Sequence, residues 1–102
     1  MKLIFKGKNK GYDVWIKSMI FHLADGQYVK LNRTITEYTV DDGVLNMTWK
    51  GCYIQNDEKK KNDQSINPAM FKDANIVDIS LRDDAPEGYE LLITEWEAKE
   101  EK

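Results

Sequence analysis

The 102-residue chain has one cysteine, one histidine, two prolines and no excess of basic charge. It also lacks any apolar run approaching the ~18 residues of a membrane span. Each scarcity excludes something. A lone cysteine, Cys52, cannot form an intramolecular disulfide, so the fold has to hold without a covalent staple. One Cys and one His do not make a zinc site, which draws several such ligands. No basic, apolar and small-residue succession opens the chain, so the expected compartment is the cytoplasm and no membrane association is expected. Without such a leader, the sequons Asn32-Arg33-Thr34 and Asn46-Met47-Thr48 are read as chance matches.

The formal charge is −3, with acids and bases interspersed. Domains that neutralise phosphates carry a basic stripe, and none is present. The single lysine run, Lys59-Lys60-Lys61, is offset by Asp57, Glu58 and Asp63. General nucleic-acid binding is therefore disfavoured. Gly7 and Gly11 lack the spacing of a phosphate or dinucleotide loop, and no cofactor is implied. The segment from Asp57 to Ser65 lacks the spaced acids, central Gly and terminal Glu of a calcium loop. No metal site is predicted.

What is present is enough for one domain spanning residues 1–102. Apolar residues make up 41% of the chain, including three Trp, five Tyr and three Phe. Each such ring can bury roughly 150–250 Å². Lysine outnumbers arginine thirteen to two, and Asn and Ile are frequent, the bias of an AT-rich genome. A low-G+C bacterium or one of its phages is the expected source.

Turn signals between β-prone runs dominate the pattern. Asp25-Gly26 separates Ser18–Leu23 from Tyr28–Leu31, and Asp42-Gly43 separates Thr34–Val40 from Val44–Trp49. Asp and Gly tolerate the positive φ of tight turns, so both sites predict hairpins and, in succession, a meander. A third hairpin is expected from Asn75–Arg82 to Tyr89–Trp96 across the turn-rich residues 83–88, with a short strand at Lys2–Lys6.

Register is legible in one hairpin and open in another. A two-residue Asp42-Gly43 loop pairs Val40 with Leu45, Tyr38 with Met47 and Thr36 with Trp49, giving clean alternation. For Asp25-Gly26, a two-residue loop sets Ile20 against Leu31. A three-residue loop bulged at Gly26 sets Phe21 against Val29, Met19 against Leu31 and Trp15 against Ile35. The two tie on apolar pairs. Tyr12–Leu23 and Leu91-Leu92-Ile93 are apolar on both sides, as in strands that are covered twice or change face at a bend.

Residues 55–66 are polar and Lys-rich and read as a mobile loop. Asn67–Asp73 reads as a helical turn capped by Asn67, with Pro68 at its first position. The tail from Glu95 either forms a helix or continues the last strand and frays over 98–102. The expected fold is all-β with a minor helical part. About six antiparallel strands form a meander-like small barrel or roll, with the helical turn near 67–73.

Catalysis generally needs clustered titratable groups. His22 stands alone near a hairpin, and nothing in the sequence brings it to Cys52, so the reading leans away from an enzyme. The remaining candidates are aromatic: Trp15, Phe21, Trp49 and Trp96 are the predicted partner-binding residues. The leading expectation is a non-catalytic module that binds a protein partner, or a second copy as a homodimer, through an aromatic sheet face or an unpaired edge strand. The alternative is a small β-barrel holding an apolar ligand beneath a Met70-Phe71 lid.

Overall fold

The computed structural model describes residues 2–31, 35–49, 52–55, 60–61 and 67–100. Its strands are β1 (Lys2–Asn9), β2 (Ile16–His22), β3 (Tyr28–Leu31), β4 (Ile35–Asp41), β5 (Val44–Trp49), β6 (Cys52–Gln55), β7 (Lys60–Lys61), β8 (Asn75–Leu81) and β9 (Leu91–Lys99). A 3-10 turn at Pro68–Phe71 precedes β8. The strands form sheet A, ordered β4-β5-β1-β9, and sheet B, ordered β7-β6-β3-β2-β8. The all-β antiparallel class is as expected, but among the described residues the sheets do not close into a barrel.

One core joins the two sheets. Leu3, Phe5, Leu45, Met47 and Trp49 from sheet A and Met19, Phe21, Val29 and Leu31 from sheet B are all at most 1% exposed. The Phe5 and Phe21 rings meet with centroids 6.1 Å apart. The edge of Phe5 lies against Trp49 at 6.3 Å. Burying these side chains, at roughly 1.5–3 kcal/mol each, supplies the main force that holds sheet to sheet.

Both Asp-Gly turns form hairpins. Met19 faces Leu31 and Phe21 faces Val29, so the bulged register is the one adopted. The Leu23 N–H donates to the Gln27 carbonyl at 2.8 Å, and Gly26 takes φ 92°, as a three-residue loop requires. At the second turn Asp42 and Gly43 take φ 53° and 81°, and Val40 faces Leu45 and Tyr38 faces Met47 as expected. The predicted Thr36–Trp49 pair is displaced by an irregularity between Ile35 and Glu37, which sets Ile35 against Trp49. The Trp15–Ile35 pair does not form, because β2 and β4 lie in different sheets.

The meander and the third hairpin are corrected. The β2–β3 hairpin belongs to sheet B and the β4–β5 hairpin to sheet A. Turn chemistry joins strands within a hairpin, but burying each hairpin's apolar face requires the other hairpin opposite. Likewise β8 pairs with β2 while β9 pairs with β1. Residues 83–90 cross between sheets through two turns, Ala85 N–H to the Arg82 carbonyl at 3.1 Å and Tyr89 N–H to the Pro86 carbonyl at 3.1 Å.

The doubly apolar strand changes face. Val14 and Ile16 are buried, and so are Met19, Phe21 and Leu23; the switch falls at an irregularity between Ile16 and Ser18. The helical turn stands where expected, with Pro68 in its first positions and Asn67 at the cap but without a side-chain cap bond. The tail continues β9 to Lys99. Of the expected 55–66 loop only Gln55, Lys60 and Lys61 are among the described residues; Lys60 pairs with Gln55 and Lys61 with Ile54, and the rest of that expectation lies outside them.

Candidate functional site

The four predicted aromatics go to packing first. Phe21 and Trp49 are core residues with no surface to offer. Trp96, half-buried on β9, sets its ring against Phe21 at 4.8 Å and Phe71 at 6.0 Å. Phe71 meets Phe21 edge-on at 5.3 Å, so the expected lid is a plug sunk into the core. Trp15 is half-buried beneath the Arg82 guanidinium, 5.3 Å above its ring. The apolar side chains that do reach solvent are others: Tyr12 is 83% exposed, Leu92 58%, Val77 on β8 53% and Val44 52%, with Tyr28, Leu81 and Tyr38 less so.

The backbone separates the only histidine from the only cysteine. His22 pairs with Tyr28, and Cys52 pairs with Leu31, three residues along β3 and one strand further over. At about 3.3 Å per residue and 4.8 Å per strand, their Cα atoms are roughly 14 Å apart. The imidazole instead stacks on Tyr28 with centroids at 4.8 Å. Among the described residues no three His, Cys, Asp or Glu side chains converge as metal ligands, and no helix is long and apolar enough to cross a membrane.

A polar network ties one end of the molecule together. Buried Asn9 donates through Nδ2 to the carbonyls of Asp13, at 3.0 Å, and Gly11, at 3.3 Å. Its Oδ1 accepts from the Tyr89 hydroxyl, whose oxygen accepts the Trp15 N–H at 3.4 Å. Burial pushes the Tyr89 phenol above its ordinary 10.0. Lys10 Nζ adds a bond to the Gly88 carbonyl at 3.2 Å. These contacts hold residues 88–90 beside the end of β1 and so fix where β9 begins.

The remaining feature is β9 itself. It is nine residues long and pairs only with β1 among the described residues. The ladder's phase follows from two bonds. Lys10 N–H donates to the Glu90 carbonyl at 3.0 Å, whereas Asn9 N–H donates to the Gly43 carbonyl on the opposite side at 3.0 Å. Alternation then turns the backbone groups of Lys8, Lys6, Ile4 and Lys2 toward β9, where their partners are Leu92, Glu95, Glu97 and Lys99. The Lys6 carbonyl accepting from the Thr94 hydroxyl at 3.2 Å fits this phase. Leu91, Ile93, Trp96 and Ala98 therefore aim their N–H and C=O groups away from β1, along an edge that no other strand occupies among the described residues, with the Pro68–Phe71 turn packed against β9.

Beside this edge the outer face of sheet A is partly apolar and recessed. A recess of about 640 Å³ opens where Lys8 lies between Val44 and Leu92. A second, of about 210 Å³, lies between Ile4, Lys6 and the Glu95–Glu97 stretch. Lys6 and Glu95 pair across the strands at 3.7 Å on the exposed surface. The exposure of Leu92 and Val44 escaped sequence reasoning; the only hint was the apolar run at Leu91–Ile93, which did not say which side is left open. Comparison with protein-family models, with curated proteins and with solved structures returns no match.

Proposed function

We propose that this chain is a non-catalytic interaction module that binds a protein partner by strand addition along the free edge of β9. The observation that carries this reading is the row of outward-directed backbone groups at Leu91, Ile93, Trp96 and Ala98, with exposed Leu92 beside it. An unpaired edge is a template for another strand, and the neighbouring side chains then select which strand it takes. The first half of β9, Leu91–Thr94, carries no charge to repel an incoming chain. The excess of Lys over Arg supports a low-G+C bacterial or phage source for this module; a G+C-rich coding sequence would count against that source.

The test is a proline placed on the free side. Proline is tolerated in a strand whose N–H faces outward. Ala98→Pro deletes an outward donor and leaves the β1 ladder whole. In the native host background, a partner captured by the wild-type chain should be lost from Ala98→Pro, with the circular dichroism unchanged. Retention of the partner by that variant refutes the reading.

A further inference from the structure

We infer that the partner strand is β9 of a second copy of this chain, lying antiparallel about a two-fold axis between Thr94 and Glu95. The inference rests on the edge-binding reading above and adds the identity of the occupant. Setting Thr94 opposite Glu95 of the second copy places Ile93 opposite Trp96 and Leu91 opposite Ala98. All four residues that aim their backbone outward then meet one another, so each finds a hydrogen-bonding partner.

The irregularity in β9 supports this register specifically. Between Lys6 and Gly7 the ladder with β1 skips Thr94, so outward-directed residues are spaced by three at Ile93 and Trp96 rather than by two. A regular strand would fall out of phase across that step. A second β9 carries the same step, and in this register the two coincide at the axis.

The charges agree as well. The same register sets Lys99 opposite Glu90 of the other copy, twice by symmetry, and Leu92 opposite Glu97. Lys99, Glu90, Leu92 and Glu97 are all exposed, and the pairing with Lys2, Lys10, Lys8 and Ile4 puts them on the outer face of sheet A. No like charges stand directly opposite each other; the two Glu95 residues flank the axis one position apart, and each is paired with Lys6 of its own chain at 3.7 Å. By contrast, shifting the axis to Glu97 opposes Glu97 to its own copy. Opposite charges across strands stabilise and like charges destabilise, so the pattern selects the first register. The inner-face pairs, Ile93 with Trp96 and Leu91 with Ala98, extend the apolar face of sheet A. The result is a continuous sheet running from β4 of one copy to β4 of the other.

The register makes a covalent test available. Leu92 and Glu97 of the second copy form a non-hydrogen-bonded pair, with Cα atoms about 4.5 Å apart, within the range a disulfide spans. Within one chain the two positions are roughly 16 Å apart along the strand and cannot bridge. In a Cys52→Ser background, Leu92→Cys/Glu97→Cys should therefore form a disulfide-linked dimer under mild oxidation. Leu92→Cys/Lys99→Cys, two residues out of register, should not. The unmodified chain should have twice its 11.9 kDa mass in solution, and Ala98→Pro should return it to the monomer mass. A chain that stays monomeric at high micromolar concentration overturns the second-copy proposal. If Ala98→Pro then still abolishes capture of another protein, the edge-binding reading survives that failure. A dimer that ignores Ala98→Pro overturns the second-copy proposal, and the edge-binding reading falls with it if the same variant also keeps every captured partner. One that responds to Ala98→Pro but does not bridge at Leu92/Glu97 overturns the register.

Discussion

A β-carbon on Gly7 would overlap the carbonyl oxygen of Leu92 and stand 3.0 Å from the Cα of Ile93. The backbones of β1 and β9 approach this closely because the ladder shifts at Lys6/Gly7 and leaves Thr94 as the extra residue. Glycine is the residue that allows such an approach. The geometry of the free edge is thus set from the β1 side.

Gly7→Ala should lower stability by about 2–3 kcal/mol, since the colliding atoms are backbone and cannot rotate away. Urea unfolding measures the loss. An unchanged midpoint would show that the close approach of β1 and β9 does not exist in solution.

Trp49 presents a different balance. Its ring is buried against Phe5, yet among the described residues its indole N–H has no hydrogen-bond partner. Trp49→Ala should cost about 3–5 kcal/mol. Trp49→Phe should cost less than about 2 kcal/mol, because losing apolar area is offset by relieving an unpaired donor. Equal losses in the two variants would mean that the N–H is satisfied.

Tyr89 should reveal itself in alkali. Its folded phenol is raised above 10.0 by burial, so the folded state holds the proton more tightly than the unfolded chain. The stability it contributes is fully present below the unfolded pKa and is lost as pH rises through the folded one. Tyr89→Phe should flatten that alkaline decline and, by leaving Asn9 Oδ1 short of a donor, cost about 1–2 kcal/mol at neutral pH. Unfolding curves from pH 8 to 11 compare the two; an identical alkaline slope in the variant contradicts the assignment.

Local chemistry made the strands and both Asp-Gly hairpins legible, because turn residues and alternation act over a few positions. The register of Val40 with Leu45 follows from its turn, whereas that of Phe21 with Val29 does not, because the two loop lengths at Asp25-Gly26 tie on apolar pairs and only the Leu23–Gln27 closure decides between them. Sheet membership was not legible. Whether β3 leads into β4 within one sheet or across to the other depends on how Phe5, Met47 and Trp49 pack against Met19, Phe21 and Leu31, which are interactions between distant parts of the chain. The same limit misdirected the site. Aromatic residues bury readily, so Phe21 and Trp49 went to the interior, while the smaller Leu92 and Val44 were left on the surface. That β9 is an edge follows only from the strand order.

The central claim, that a partner binds along β9, is tested most directly by residue-resolved amide hydrogen exchange with and without the partner, or across a dilution series if the partner is a second copy. The amides of Leu91, Ile93, Trp96 and Ala98 should exchange quickly in the free chain and slow markedly in the complex, while Leu92, Glu95 and Glu97, already paired with β1, change little. Complex formation that leaves those four amides unchanged and protects another edge, such as β4, would contradict the account.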